Sequence, residues 1–366
     1  MEKREVKKDK KGFKIFLIIF GIAIVVVFKT GYKGEFVSKV GSLFKIKKTF
    51  ETVETIPMNF ENEEANVYGN IIIKKDGGKL LAYDLNGSKK WEKNINVDEG
   101  LVFLGNKFIY LCSKGTGQIE LLNNNGEIAQ TIESNPQIAN ITEKNEDLVL
   151  LFKDEGQENI VIMNNNNEIL GKNSVKGARI FSIAINNSKT KYVVSTLSHK
   201  DDEISNYLHI YKMDGKEIEN IDFGKNLILY TEFITDDIIV VFTDEEVYCI
   251  KDGKTLWTKE MEKGKDIYID EENKEIYLLN DKNIKVISDT GEVEREISLS
   301  QDYKRILPFD KGFLLYGDEH VAVLEEDKEI IKYKNEEKIE EIIVKEPYII
   351  LFDFDKINIM NIKTKL

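Results

Sequence analysis

A strand–turn–strand pattern recurs along the chain about every 40 residues, and this repeat limits the possible folds more than any other feature. Each copy contains two short runs rich in β-branched or aromatic residues, then a tight turn, then a third run. The second turn position of successive copies is Gly87, Gly126, Asn167, Gly215, Gly253, Gly291, Asp327 and, in a degenerate last copy, Lys363. Asn-Gly and Asp-Gly pairs favour type I′ hairpin turns, because both central positions of that turn need a positive φ. The pattern therefore predicts eight copies of one hairpin-based unit.

The apolar runs ahead of these turns are continuous rather than alternating, as in strands that are covered on both faces. A further run suited to a fourth, innermost strand precedes several of them, and the clearest examples are 101–104, 179–185, 227–233 and 338–344. Four strands per unit of about 40 residues are typical of a propeller blade. We therefore expect an all-β, eight-bladed β-propeller over residues 49–366, with seven blades as the alternative.

The two ends of the repeat array are predicted to close the ring together. The last copy stops at Leu366, directly after its second run and turn, so its outer strand is missing. Residues 49–56 (TFETVETI) precede the first copy and are suited to that place, with Phe50 in the position that Trp91 has in the first copy. Pairing the ends removes the exposed sheet edges that an open array would have. We expect strand 49–56 to complete the last blade.

Tryptophan stands four residues after the turn glycine in two copies, at Gly87/Trp91 and Gly253/Trp257. In this combination the chain resembles the pyrroloquinoline-quinone-like propeller repeat over residues 49–366. With its basic head and one apolar segment it is also similar to uncharacterised membrane-anchored propeller proteins of clostridia, a group that implies no particular activity. Quinoprotein dehydrogenases of this fold need a disulfide between adjacent cysteines, and this sequence has no such pair. The resemblance therefore implies the fold, and we predict no cofactor.

Residues 15–28 (IFLIIFGIAIVVVF) form an unbroken apolar run behind a lysine-rich head. At 1.5 Å per residue the run spans roughly 21 Å, short of the ~30 Å bilayer core, although flanking Phe13, Lys14 and Lys29 can lengthen it. It has no polar stripe of a soluble helix, and no small-residue cleavage site follows it. We predict a basic head at 1–14, an uncleaved transmembrane anchor at 15–28 and a linker at 29–48, with a cleaved signal peptide and a soluble helix as alternatives.

Charge is divided unevenly along the chain. Residues 1–48 carry 13 Lys and Arg against four Asp and Glu, so the formal net charge of −13 for the whole chain leaves −22 on residues 49–366. The basic flank ahead of the apolar run favours a cytoplasmic N-terminus and a propeller outside the cytoplasm, although lysines at 39–48 partly restore the balance. A strongly acidic domain repels phosphate backbones, so nucleic acid is not an expected partner.

Residues with chemical potential are sparse. The histidines fall in two separate copies, so we predict no catalytic and no metal site; they are His199, His209 and His320. Cys112 and Cys249 stand in widely separated copies and are expected to be buried rather than paired. One insertion, 198–206 (SHKDDEISN), lengthens the fourth copy, and recognition often resides on such loops of a rigid scaffold. We predict a partner-contact loop at His199, Asp201, Asp202 and Glu203.

These features favour a membrane-anchored, non-catalytic propeller that acts as a binding or assembly scaffold, with a protein partner, at the outer face of the cell membrane. An enzyme or carbohydrate-processing protein with a site at the channel mouth is one alternative. A ligand-sensing ectodomain is another.

Overall fold

Strands and tight turns account for nearly all of the residues that the structure describes. This structure is a computed structural model, and it describes residues 47–58, 63–95, 100–105, 107–113, 115–134, 138–164, 166–200, 203–261 and 263–365. The predicted head and anchor, 1–14 and 15–28, and most of the predicted linker lie outside these residues. Within the described residues there is no helix that is long and apolar enough to cross a membrane.

The described part of the chain forms eight four-stranded sheets, which we number 1 to 8 along the chain. The first four are sheet 1, β2 (Glu63–Tyr68), β3 (Ile71–Asp76), β4 (Lys79–Asp84) and β5 (Lys89–Asn94); sheet 2, β6 (Gly100–Leu104), β7 (Ile109–Ser113), β8 (Gln118–Leu122) and β9 (Ile128–Glu133); sheet 3, β10 (Ile138–Lys144), β11 (Asp147–Asp154), β12 (Gln157–Met163) and β13 (Ile169–Lys176); and sheet 4, β14 (Ala178–Ile185), β15 (Lys191–Lys200), β16 (Glu203–Lys212) and β17 (Glu217–Gly224).

The remaining sheets are sheet 5, β18 (Ile228–Phe233), β19 (Ile238–Thr243), β20 (Glu246–Lys251) and β21 (Lys254–Glu260); sheet 6, β22 (Asp266–Asp270), β23 (Glu275–Leu279), β24 (Asn283–Ser288) and β25 (Val293–Ser298); sheet 7, β26 (Arg305–Phe309), β27 (Gly312–Tyr316), β28 (His320–Glu325) and β29 (Lys328–Lys334); and sheet 8, β30 (Ile339–Lys345), β31 (Tyr348–Asp353), β32 (Lys356–Lys365) and β1 (Lys47–Pro57). The fold is an all-β, eight-bladed β-propeller, as the repeat predicts.

The first strand of each sheet is the inner one, because first strands of successive sheets contact one another, as β14 does with β10 and β18. We name the four strands of a sheet A to D from the channel outwards. Since neighbouring strands run antiparallel, the start of strand A and the B–C connection lie at one end of every sheet. We call this end of the ring the B–C face and the opposite end, with the A–B and C–D turns, the A–B face.

Each hydrophobic cluster of the core lies between two successive sheets. Val149 and Ile160 of sheet 3, for example, pack with Ile183 and Tyr192 of sheet 4. The cluster between sheet 8 and sheet 1 has the same composition, with Ile350 and Ile357 packing against residues such as Ile72. The ring therefore closes through the same kind of apolar interface that joins its other sheets.

Strand β1 is the outer strand of sheet 8, beside β32, which is the place that the sequence analysis gives to residues 49–56. Beyond its end, the Met58 N–H donates to the Asp355 carbonyl at 2.8 Å, and the Thr55 hydroxyl donates to Asn358 Oδ1 at 3.0 Å. Asn358 in turn donates to the fully buried carboxylate of Asp353 at 2.8 Å, which also accepts from Asn335 at 2.8 Å. This polar chain joins the N-terminal strand to β32, β31 and the end of sheet 7.

The expectation of type I′ turns throughout is wrong. Both central residues have positive φ only at Asp252-Gly253 and Glu326-Asp327 among the described C–D turns. At Gly87 the glycine alone has positive φ, 78°, and its N–H donates to the Asp84 carbonyl, while the Asp84 N–H donates to the Ser88 carbonyl. This pattern is a type I turn followed by a one-residue bulge, and it recurs at Gly126, Asn167, Gly215 and Gly291.

A side-chain oxygen on the first turn residue supports the longer loop in sheets 1 to 3. Asp84 Oδ1 accepts the N–H groups of Asn86 and Ser88, each at 2.9 Å, and so holds the three-residue loop. Asn123 and Asn164 do the same in sheets 2 and 3. Such an oxygen is not required, because Lys212 begins the same three-residue loop in sheet 4. The two-residue turns at Asp252-Gly253 and Glu326-Asp327 follow Lys251 and Glu325.

Candidate functional site

The tryptophans belong to the sheet interfaces rather than to a ligand site. Trp91 Nε1 donates to the Asn124 carbonyl of the next sheet at 2.7 Å, and a Cβ at Gly126 would lie 2.9 Å from the Trp91 ring. Trp257 makes the matching hydrogen bond to the Asp289 carbonyl at 2.8 Å. The turn glycine leaves room for a large side chain of the preceding sheet. The sequence therefore signals packing of one blade on the next.

The placement of Phe50 in this position is wrong. A Cβ at Gly87 would lie 2.1 Å from Cγ of Glu54, so Glu54 of β1 covers the turn of sheet 1 as Trp91 covers the turn of sheet 2. Phe50 packs instead toward sheet 7, with an edge contact of 5.7 Å between ring centroids to Tyr333. One strand of the last sheet therefore contacts the blades on both sides through different residues.

A cavity of about 890 Å³ opens at the B–C face among sheets 5 to 8. Its walls are the first residues of the inner strands β18, β22, β26 and β30, together with the last residues of the neighbouring B strands. Aromatic and aliphatic side chains form much of the wall, including Tyr230, Phe242 and Tyr316. The charged residues of the lining are Lys265, Asp266, Arg305, Glu340 and Glu341. Lys265 is paired with Asp281 and Asp302, and Glu340 with Lys338. A concave site with apolar walls and a few converging polar groups is the usual form of a ligand site.

Asp266 has a structural role in this cavity. One carboxylate oxygen accepts the Ile306 N–H of the next inner strand at 3.0 Å, and the other accepts from Arg305 Nη1 at 3.3 Å. Burial raises the pKa of Asp266, and these two donors oppose that rise. Both oxygens are thus used to join sheet 6 to sheet 7, and Asp266 is not available as a catalytic base.

Arg305 and Glu341 retain more capacity for binding. The Arg305 side chain is 57% exposed and has four further N–H donors beside the one that reaches Asp266. Glu341 lies on the facing inner strand β30, and burial raises the pKa of its carboxyl, with Arg305 opposing the rise. The positive charge of Arg305 thus favours the ionised form of Glu341, although the two side chains form no ion pair in the described part of the chain.

Glu232 stands deeper on β18, next to the cavity residue Tyr230. The Tyr230 hydroxyl donates to Glu232 Oε2 at 3.1 Å, and the Phe233 N–H donates to Oε1 at 3.1 Å. Burial raises the pKa of Glu232, although the charge of Lys144 lowers it. The pairing of hydroxyl and carboxyl fixes the Tyr230 ring as part of the cavity wall.

On four inner strands, the pairing between strands A and B is irregular near the mouth of the channel and leaves one residue unpaired. The register of the A–B pair shifts at one residue in each, and the residues passed over are Ala139, Phe181, Leu229 and Glu340. A β-bulge of this kind leaves the extra residue unpaired and redirects its side chain. Phe181 and Leu229 are exposed as a result, at 54% and 47%.

Exposed large apolar side chains fall into two groups in the part of the chain that the structure describes. One group lies singly on the outer strands and consists of Val53, Ile128, Ile169, Ile218, Leu256, Val293 and Ile330. The other lies on the B–C face and consists of Phe181, Ile204, Leu229 and Phe354. Both phenylalanines that are exposed among the described residues belong to the B–C face.

The predicted partner-contact loop forms a long hairpin on this same face. His199 is near the end of β15, and Glu203 begins β16, whereas Asp201 and Asp202 lie outside the described residues. Pairing with the flanking strands stops at Ser198 on β15 and at Asn206 on β16, so the tip pairs only with itself, as in His199 with Ile204. His199 also lines a separate cavity of about 360 Å³ beside Arg179 and the β11–β12 hairpin.

The remaining residues of chemical interest are held in the sheets. His209 Nδ1 lies 2.9 Å from Glu217 Oε1 and its Nε2 lies 3.2 Å from the Thr196 hydroxyl. Cys112 and Cys249 are buried and unbonded to each other, and burial raises the pKa of each thiol to about 12. No group of three or more His, Cys, Asp or Glu suited to a metal ion occurs among the described residues.

Sequence reasoning missed Arg305, Glu341 and the bulged residues. Arg305 and Glu341 come together only because strands of adjacent sheets start at one channel mouth, and a linear pattern cannot measure that. A pair of glutamates at Glu340-Glu341 at the start of a predicted inner strand is the one available signal.

Comparison with known proteins supports the fold. Sqt1 of Saccharomyces cerevisiae is similar with a TM-score of 0.59 and 8% identity, over 85% of this chain and 99% of that chain. BamB of Moraxella catarrhalis is similar with a TM-score of 0.54 and 11% identity, over 86% of this chain and all of that chain, 100%. At these identities the likeness shows the fold alone. A family described as a family of unknown function (DUF5711) matches residues 44–362, and no curated protein matches the sequence.

Proposed function

Since the chain belongs to the DUF5711 family of unknown function and folds as an eight-bladed β-propeller, we propose that it is a membrane-anchored, non-catalytic scaffold that binds a protein partner through its B–C face. The anchor is the apolar run at 15–28, and the propeller lies at the outer face of the membrane. A rigid ring that presents one distinctive face suits a binding or assembly role.

The observation that carries the proposal is the group of exposed apolar side chains on the B–C face. Phe181, Ile204 and Leu229 lie on the neighbouring sheets 4 and 5, where the bulges leave Phe181 and Leu229 unpaired and Ile204 lies near the start of β16. Phe354 is separate from them, on the B–C connection of sheet 8. Aromatic residues are enriched in the buried centre of protein interfaces, and a face that gathers them is a candidate for one. The hairpin with His199 and Glu203 adds a polar rim on the same face.

Site-specific photo-crosslinking in cells tests this face. A photoreactive residue replaces Phe181 or Phe354 in the full chain, and a matched one replaces Ile169 or Val293, which are equally exposed but lie on outer strands. We expect one defined crosslinked partner from the first pair and none from the second. The same partner should be lost when Leu229→Ser and Ile204→Ser are added to the Phe181 crosslinker. Equal crosslinking from both pairs, or none from the B–C face, contradicts the proposal.

The anchor and its orientation need a separate test. Full-length chain should sediment with membranes and resist extraction by alkaline carbonate, whereas a chain without residues 15–28 should not. Protease added to intact cells with a permeable wall should digest the propeller if it lies outside. Digestion that requires lysis of the membrane contradicts the orientation but leaves the partner face to be judged by the crosslinks.

A further inference from the structure

The cavity of about 890 Å³ among sheets 5 to 8 has the features of a small-molecule site and is distinct from the apolar residues on which the proposed partner surface depends. Only Leu229 belongs to both. Its volume falls in the range of sites for small ligands, roughly 300 to 1,000 Å³. Tyr230, Tyr316 and Leu307 give it aromatic and aliphatic walls.

Two charged groups on facing inner strands are incompletely used. Arg305 makes one hydrogen bond, of 3.3 Å, to Asp266, and most of its guanidinium donors are free for a ligand. Among the described residues, no hydrogen bond or ion pair reaches the Glu341 carboxylate. Among the described residues no ion pair joins Arg305 to Glu341, although both line the cavity and the charge of Arg305 acts on Glu341.

This arrangement restricts the ligand's charge. An anion on Arg305 alone would lie near Glu341 and be repelled, and a cation on Glu341 alone would lie near Arg305. Arg305 and Glu341 are both exposed to water in the free protein. A neutral apolar ligand would displace this water without replacing its hydrogen bonds to either group. A ligand that carries one carboxylate and one ammonium group satisfies both.

We propose that this cavity binds a zwitterionic ligand, an amino acid or short peptide with an apolar side chain, whose carboxylate contacts Arg305 and whose ammonium group contacts Glu341. The planar guanidinium matches a carboxylate with two parallel hydrogen bonds, and the side chain packs on Tyr230 and Leu307. Binding at this site does not require a protein partner.

Isothermal titration of the purified full-length chain with defined probes tests the inference. The probes are L-phenylalanine, L-leucine and L-leucyl-L-phenylalanine, each at up to about 10 mM, which separate the free amino acids from the peptide as the source. The matched probes are the N-acetyl and the C-terminal amide forms of each, since each lacks one of the two charges. We expect at least one free probe to bind and both of its blocked forms to bind at least about tenfold more weakly. No binding by any free probe, or equal binding by blocked forms, overturns the proposal.

Variants of Arg305 and Glu341 test which side chain contacts the carboxylate and which contacts the ammonium group of the ligand. Arg305→Ala should remove the preference for a free carboxylate, and Arg305→Lys, which keeps the charge, should retain part of it. Glu341→Gln should remove the preference for a free ammonium group. Arg179→Ala and Glu64→Gln are the controls, because these residues lie on the inner strands β14 and β2 away from the cavity. Each variant is first checked for an unchanged melting curve. Loss of the same preferences in the controls, or their retention in Arg305→Ala and Glu341→Gln, overturns the assignment.

Discussion

At the scale of single residues, the contact between one blade and the turn of the next determines where large side chains are tolerated. A Cβ at Gly291 would lie 2.7 Å from Cγ of Trp257, and the φ of Gly291 is 86°, so both space and backbone require glycine there. The spacing of glycine and tryptophan is visible in the sequence, and it correctly indicates packing between blades. The turn type is not visible in the pair itself, because the same Asp-Gly pair stands in a three-residue loop at Gly215 and in a two-residue turn at Gly253.

Replacing Trp257 tests this contact. Trp257→Ala removes an aromatic side chain from the interface of sheets 5 and 6 together with its hydrogen bond to the Asp289 carbonyl, and we expect a loss of about 2–3 kcal/mol in the free energy of unfolding. Trp257→Phe keeps most of the packing and should cost about 1 kcal/mol. The adjacent Leu256 is half-exposed, so Leu256→Ala should stay within about 0.5 kcal/mol. Urea denaturation of the three variants gives the comparison, and equal losses at 256 and 257 would contradict it.

The carboxyl of Asp353 is buried completely at the closure of the ring, and burial raises its pKa to about 6, with the charge of Lys356 and the Asn335 amide opposing the rise. Its ordinary pKa is 3.8, so between these values the folded state binds the proton more tightly than the unfolded chain does. The stability that this group contributes is therefore present below about pH 4 and is lost as the pH rises through about 6.

Asp353→Asn should make this pH dependence measurable. Subtracting the unfolding free energy of Asp353→Asn from that of the natural chain removes the contributions that all other titrating groups make to both. We expect the variant to become relatively more stable by about 2 kcal/mol between pH 4 and pH 7, because it has no proton to lose. Urea denaturation at the two pH values gives the difference, and a value that does not change with pH would show that Asp353 titrates normally.

At the scale of elements, continuous apolar runs were enough to locate the inner and second strands. The predicted inner strands 101–104 and 179–185 lie within β6 and β14. The bulges were not predictable, because Phe181 and Leu229 look like ordinary members of an apolar run and only the pairing with β15 and β19 passes over them. The sequence predicts a loop at the 198–206 insertion, whereas most of it continues β15 and β16, since a strand with polar residues can extend when its partner extends with it.

The tip of this hairpin should be dispensable for folding. His199 pairs with Ile204 and Lys200 with Glu203, while Ser198 and Ser205 face each other across the hairpin. Replacing 199–204 by Asn-Gly gives Ser198-Asn-Gly-Ser205, a two-residue type I′ connection of the kind the chain uses elsewhere. We expect the free energy of unfolding to change by less than about 1 kcal/mol. A loss well above this in urea denaturation would mean that the tip supports the ring.

At the scale of the whole molecule, ring closure could be inferred because one strand was missing at one end and one was left over at the other. Because the chain is a repeat, the strands of each copy can be counted and compared. The cavity could not be inferred in the same way. Its charged residues, among them Asp266, Arg305 and Glu341, come from three sheets and meet only when the ring is complete.

Closure makes the stability of the ring depend on its last strand. Deleting residues 357–366 removes Ile357, Ile359 and Met360, which are buried in the two interfaces on either side of sheet 8, and separates β1 from β31. Three buried aliphatic side chains at about 2–5 kcal/mol each approach the whole stability of a typical domain, about 5–15 kcal/mol. We therefore expect loss of the cooperative melting transition rather than fraying of one sheet. A synthetic peptide of residues 356–365 should restore the transition by pairing between β1 and β31, and the hairpin-tip variant should melt normally as the control. A truncated chain with an unchanged melting temperature in circular dichroism would show that the other seven sheets hold together without closure.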